Sequence, residues 1–377
     1  METKRIIRKV IDTAKLISWS IAVFFYYFQV PFMEYSWLIT TGVASFLFFS
    51  VKNIIKLVNE KNYVVYFYIF LLILCLINAA CSIYMGSDFT NVIRFFLIVV
   101  LIPIIPSFVD GETRYIYGVF SILSICKAVM IISIAYIVFT TGSFAELRLW
   151  AQSNQYGDIY SIYNNIPRVQ LKGNALLVVA FMISFVKNRK ITLYNCILLT
   201  SILFAGNFAF VLALVIFFIW QYVKQISLQI SIKSIIVSIL IFLSFIGFIQ
   251  YTSLEIESKS GSPNSSNAHR IQQIEILADT NYLLGNGLGS IVKESTNIGV
   301  PIDSKYYEVQ TMYIFFQVGA IILCLFYIVL FIMAKNHYNY NGKMILVIYL
   351  IYSFFNPYCF DSTQMIAMIL IAMKFPI

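Results

Sequence analysis

The chain is predicted to be an all-α, polytopic integral membrane protein with about 12 transmembrane helices and two large external loops. Three observations predict this. Of 377 residues, 60% are hydrophobic and only 11% are charged, against roughly 45–50% and about 25% in a soluble domain. That is about 226 apolar residues, enough at about 20 per span for roughly eleven membrane helices. The apolar residues also come in runs joined mostly by short connections. A soluble enzyme, a nucleic-acid reader and a disordered chain are excluded on this composition. The net charge of +9 implies no nucleic-acid partner, because Lys and Arg gather in the cytoplasmic loops of membrane proteins.

Taken in order, the apolar runs place spans near 15–33, 35–51, 63–84, 91–109, 115–140, 172–187, 191–205, 208–223, 234–251, 307–334, 344–358 and 361–374, in a single membrane domain over 1–377. The first run lacks a small-residue cleavage site and ends in aromatics, Pro31 and Phe32, so it reads as a retained anchor. Residues 191–223 form one apolar stretch broken only at Gly206-Asn207. It is too long for a hydrocarbon core of about 30 Å, so a tight hairpin at Gly206-Asn207 is expected.

Basic residues give the orientation. The N-terminal segment carries Lys4, Arg5, Arg8, Lys9 and Lys15, and the loops on the same side bring the total there to 17 of the 26 Lys and Arg. Both termini are therefore expected to be cytoplasmic. Two long connections, about 141–171 and 252–306, fall on the external side. Long loops commonly carry function. Residues 268–284 carry Ile271, Ile274, Ile276 and Leu277, the pattern of a short amphipathic helix that lies on a membrane surface.

The external basic residues are Arg94, Arg148, Arg168, Lys172, Lys259, Arg270, Lys293 and Lys305. Arginine presents a permanently charged planar fork that matches phosphate and carboxylate oxygens; the plainer reading is loop solvation or snorkelling to headgroups. Glu308 opens a long apolar span. There it is either a partly dehydrated carboxylate able to act as a base or a charge favoured by a helix N-terminus. Lys127 falls near the middle of its span, where a lysine pairs with an acid or lines a polar cavity.

No metal or cofactor is expected. The two histidines, His269 and His337, lie in different loops, and the six cysteines show no C-x-x-C spacing; they read as small buried apolar residues. Gly285-Asn286-Gly287-Leu288-Gly289 lacks the strand-helix context of a dinucleotide fingerprint and reads as a turn near the membrane.

Three segments together resemble the bacterial O-antigen polymerase (Wzy-type) family, within the O-antigen ligase-like membrane protein superfamily. The first is Arg168-Val169-Gln170-Leu171-Lys172-Gly173-Asn174-Ala175. The second is Arg270-Ile271-Gln272-Gln273-Ile274, followed by Gly285-x-Gly287-x-Gly289. The third is Glu308, Met312, Phe315, Gln317 and Gly319. Ligases of the superfamily typically carry His where this chain has Glu308. The later acidic residue of the third segment is Gln317 here, and the bulky residue of the second is Ile274 rather than Trp.

The resemblance implies a multi-pass protein of the cytoplasmic (inner) membrane that acts as a glycosyltransferase in polysaccharide or lipopolysaccharide biosynthesis. It would join undecaprenyl-diphosphate-linked oligosaccharide repeat units into O-antigen, capsule or exopolysaccharide, with lipid diphosphate as leaving group. It implies metal independence and partners in membrane lipids and a chain-length regulator protein. In this reading Arg168 and Arg270 stabilise the departing diphosphate, Arg94 or Arg148 assists, Lys172 and Lys127 contact substrate, and Glu308 takes the acceptor proton. A ligase shares the implied fold. A lipid-linked oligosaccharide flippase is the competing transporter reading, which Lys127 suits and the large external loops do not.

Overall fold

The computed structural model describes residues 2–52, 63–109, 114–162, 166–225, 266–278, 281–291, 307, 309–354 and 356–373. These are helical almost throughout, with one two-stranded sheet. The helices are α1 (Glu2–Tyr27), α2 (Gln29–Phe32), α3 (Trp37–Phe49), α4 (Tyr63–Tyr84), α5 (Phe89–Leu101), α6 (Ile105–Phe108), α7 (Arg114–Thr141), α8 (Phe144–Ser153), α9 (Leu176–Asn188), α10 (Leu193–Ala205), α11 (Phe208–Gln225), α12 (Ser266–Ala278), α13 (Gln310–His337), α14 (Tyr340–Ser353) and α15 (Ser362–Ala372); the strands are β1 (Gly157–Ile162) and β2 (Ile166–Leu171).

Among the described residues, five helical stretches are long and apolar enough to cross a membrane: Arg5–Tyr27, Tyr63–Tyr84, Phe89–Phe108, Tyr115–Thr141 and Gln310–His337. A sixth is added if Gln29–Tyr35 and Trp37–Phe49, bent by 77°, count as one. By length, the described residues thus support five or six of the about twelve expected spans. The apolar runs at 172–187, 191–205 and 361–374 form helices of only 13, 13 and 11 residues. At 1.5 Å per residue these are about 20, 20 and 17 Å long, short of a core of about 30 Å. Hydropathy counts apolar residues; it does not say how many are helical. The run at 234–251 lies outside the described residues.

Other boundaries move for local reasons. The first span ends at Tyr27, because Pro31 lacks an N–H and crowds the carbonyl four residues back. The run at 172–187 yields a helix only from Leu176: Lys172, Gly173 and Asn174 form the turn leaving β2. The expected loop 141–171 is an ordered unit, α8 followed by an antiparallel hairpin in register Tyr160↔Arg168 and Asp158↔Gln170. In the second long connection α12 occupies the place of the expected amphipathic helix. Gly206-Asn207 turns the chain as expected, with Gly206 left-handed at φ 60° as the C-cap of α10.

The core runs continuously through the bundle. In α9 every residue from Leu176 to Ser184 is buried, as is every residue of α15 from Thr363 to Ala372. Helices apolar on all sides pack centrally, and these two pack on each other. The longer α4 turns Tyr66, Phe70, Ile73, Leu76 and Ile77 outward, a face suited to lipid. α1 and α3 cross closely at Gly42, where a Cβ would come within 2.8 Å of Ala22 N and Ser18 O; small residues permit such approach in membrane helices. Of the six cysteines, Cys75 and Cys359 are buried as expected, while Cys81, Cys126, Cys196 and Cys324 lie on outward faces.

Candidate functional site

The first family-like segment is held at several points. Arg168 projects from β2 and is 4% exposed. Its guanidinium carbon lies 4.9 Å from the ring centroid of Tyr160, its cross-strand partner. The other side of its stem packs on Gly206, where a Cβ would overlap Arg168 Cγ and sit 2.7 Å from Cδ. Gly206 is therefore required twice, by its left-handed backbone and by the space it leaves. Below Arg168, Lys127 Nζ donates to the carbonyl of Lys172 at 2.8 Å, and Asn174 Nδ2 donates to Val169 O at 3.0 Å. Gly173 rests on the end of α1, so closely that a Cβ would approach Tyr26 O to 2.5 Å.

Lys127 is fully buried and its ammonium binds a carbonyl rather than an acid. Its evident work is to fix the strand end that carries Arg168. Lys172 is half-buried, with Nζ 3.2 Å from Met33 Sδ. Partial burial lowers the Lys172 pKa, because desolvation disfavours the charged form.

The short helices end at one junction, and Arg168 stands beside it. Gly206 closes α10 and Asn207 opens α11, its Oδ1 accepting from Ala209 N at 3.0 Å. Asn207 Nδ2 donates to Tyr358 Oη at 3.5 Å. Tyr352 Oη donates to Ala175 O, at the start of α9, at 3.0 Å. Phe210 packs its ring against both Tyr352 and Tyr358, with centroids 5.8 Å away in each case. Asp361 caps α15, accepting from Gln364 N at 3.1 Å and from the Thr363 hydroxyl at 2.7 Å. Tyr26, Tyr349, Tyr352 and Arg94 are its electrostatic neighbours. The N-termini of α9, α11 and α15 thus gather here, with Arg168 packed on Gly206 and Arg94 acting on Asp361 through its charge. The dipoles of such helix ends favour negative charge.

Asp361 lies ahead of its helix. Burial pushes its carboxyl up to about 6, while hydrogen bonds from Thr363 and Gln364 and the Arg94 charge pull the other way. By sequence Asp361 is one of the external acidic residues, and its role is not legible there because its neighbours come from remote segments. The usable signal was Asp-x-Thr-Gln at the head of an apolar run, a helix-capping pattern.

The second and third segments meet as well. α13 is broken at Gly319, with φ 70° and ψ −179°. The glycine-rich turn fills the break: Ala320 N donates to Tyr282 O at 2.8 Å and Ile321 N to Leu283 O at 3.3 Å. In return Asn286 N donates to Phe316 O at 2.8 Å and Gly287 N to Gln317 O at 2.9 Å. Leu288 N donates to Asn78 Oδ1 at 2.8 Å and Gly289 N to Gln317 Oε1 at 3.3 Å. Every N–H from Gly285 to Ser290 has a protein acceptor, so the turn has none to offer a phosphate. It is a wedge that joins α13 to α4 and α5.

Arg270 lies on α12, and Glu308 lies outside the described residues. Their surroundings touch: Gln273, three residues beyond Arg270, accepts from Val309 N, next to Glu308, at 3.4 Å. Gln310 Nε2 then donates to Phe360 O at 3.4 Å, beside Asp361. Arg94 is exposed, 5.5 Å from the Phe95 ring. Arg148 has its fork on Asp158, with Nε 3.0 Å from Oδ1 and Nη2 3.2 Å from Oδ2. That pair ties α8 to β1 and engages the face a phosphate would use. Lys259, Lys293 and Lys305 lie outside the described residues. Among the described residues, no three His, Cys, Asp or Glu side chains are grouped to hold a metal ion.

Set against family models, curated proteins and solved structures, the chain matches none of them.

Proposed function

We propose that the protein polymerises undecaprenyl-diphosphate-linked oligosaccharide repeat units on the outer face of the cytoplasmic membrane. The observation that carries the reading is Arg168: a buried arginine, seated on an aromatic ring and a glycine, beside a junction of helix N-termini. Such a constellation suits a diphosphate. A diphosphate leaving group is already activated, so catalysis needs cations at the departing oxygens and a base at the acceptor hydroxyl.

In this reading Arg168 and Arg270 supply the cations, with Arg94 assisting, and Glu308 supplies the base. The acceptor oxygen bonds to the anomeric carbon, the carbon–oxygen bond to the diphosphate breaks, and the hydroxyl proton passes to Glu308. The shorter apolar helices count among about twelve crossings, and both termini are cytoplasmic. The ligase and flippase readings are the alternatives.

Deletion of the gene tests this. Surface glycan carrying a single repeat unit is expected, because ligation survives without polymerisation. Loss of all surface glycan, with lipid-linked single units trapped inside, would point to a flippase. Long chains left on the lipid carrier would point to a ligase.

Gly206→Ala supplies a second test. Its Cβ would overlap Arg168 Cγ and lie 2.7 Å from Cδ, and the left-handed backbone adds about 1–2 kcal/mol of strain. Polymer output should fall about tenfold, which is the rate effect of roughly 1.4 kcal/mol, at near-normal protein level. A full chain-length ladder from this variant would mean that the position of Arg168 is immaterial.

A further inference from the structure

We propose that Asn207, Tyr358 and Asp361 form a subsite that binds a sugar ring of the repeat unit, distinct in role from the arginines that take the diphosphate. The inference rests on the polymerase reading and names where its carbohydrate lies. These three side chains are half-buried at the junction, whereas the neighbouring Phe210 and Tyr352 are each 1% exposed. They come from the head of α11 and the segment leading into α15; the Asn207–Tyr358 contact joins these two segments, and Tyr358 and Asp361 both act electrostatically on Tyr26.

Their chemistry is what a polyhydroxylated ring needs. A carboxylate accepts from hydroxyls, an amide both donates and accepts, and an aromatic face covers the apolar C–H side of the ring. Asp361 accepts from the Thr363 hydroxyl and from the backbone N–H groups of Gln364 and Thr363, three of the about four acceptor positions of a carboxylate, which leaves one for a ligand. Gln364 adds a second observation. It is 1% exposed, its Oε1 is fixed by Phe360 N at 2.7 Å, and its Nε2 has no hydrogen-bond partner among the described residues. A buried donor left unpaired at the head of α15 is costly unless something pairs with it. The negative charge of Asp361 assigns it to sugar rather than to diphosphate, which it would repel, and Arg94 offsets that charge.

The test uses Asp361→Asn in the full-length protein, with lipid-linked repeat units extracted from the deletion strain as substrate. Asn caps helices as well as Asp does, so the thermal stability of the variant should match wild type. The KM for repeat units should rise about tenfold, the loss of one hydrogen bond to a charged group, with kcat little changed. Wild-type KM should also rise as pH falls through about 6, where Asp361 becomes protonated, and the Asn variant should not show this rise. Tyr26, Arg94, Tyr349, Tyr352 and Cys359 face Asp361, and residues of these types ordinarily titrate well above 6.

Tyr358→Leu, which removes the aromatic face, should also raise KM. An unchanged KM in Asp361→Asn, a pH response identical to wild type, or a lowered thermal stability would overturn the proposal and leave Asp361 as a helix cap. Wild-type protein that makes no polymer from these units would instead sink the polymerase reading itself.

Discussion

Arg168→Lys is expected to lower polymer output by at least about 10²-fold, the scale of losing one preorganised donor at a developing charge, while protein level stays close to normal. Lysine keeps the positive charge and a similar stem, and it still reaches the Tyr160 ring. What it loses is the planar fork that meets two phosphate oxygens at once and stacks on an aromatic face. The site is built around that plane, with Tyr160 at 4.9 Å on one side and Gly206 against the stem on the other. A compact ammonium in the same groove would sit as a point charge with its orientation unspecified. Arg148→Ala is the control. Its pair with Asp158 is largely exposed, with side-chain exposures of 51% and 31%, and surface pairs of this kind contribute roughly 0–1 kcal/mol. Chain-length ladders from cells with matched protein levels decide the matter. A normal ladder from Arg168→Lys would show that the guanidinium plane does no chemistry here.

The parts of this site that were legible in the sequence are those fixed by local rules. Gly206-Asn207 interrupts an apolar stretch too long for one crossing, so a turn there follows from bilayer thickness, and Gly is the residue that closes a helix left-handed. The spacing of Ile271, Ile274 and Leu277 places a helix because its period is local. The hairpin is not read from the sequence, which shows only a long external loop there, although its period is local. Ile159, Val169 and Leu171 form a buried face, while Asp158, Tyr160, Arg168 and Gln170 alternate with them. That is the period of two expected of strands, in runs of only six residues.

Long-range features were not legible. Nothing near Gly319 marks a break, since glycine is common in membrane helices; the turn that repairs it comes from Tyr282 to Gly289. The length of α9, α10 and α15 also escaped, because an apolar residue counts toward hydropathy whether it is helical or lies in the turn beside a helix. Asp361 belongs with Tyr26 and Arg94 only because the fold brings three distant segments to one place.

Glu308→Gln should remove nearly all long chains, because general-base catalysis contributes about 10²–10⁴-fold and glutamine keeps the size of the side chain while removing its basicity. Its chain neighbours on either side are buried. Tyr307 is 1% exposed and Val309 is fully buried, the Tyr307 and Tyr313 rings lie 4.4 Å apart, and Gln273 of α12 accepts from the Val309 N–H. The base role calls for a carboxylate that has lost part of its solvation, which raises its affinity for a proton toward the range useful at neutral pH. If Glu308 instead only complements the N-terminal dipole of α13, glutamine should cost no more than about 0.3–1 kcal/mol of stability and leave the ladder intact. The two roles therefore separate by at least an order of magnitude in polymer yield. Glu308→Asp sharpens the comparison: it keeps the charge for a dipole role but withdraws the carboxylate by one methylene, so a base role predicts partial loss and a dipole role predicts none.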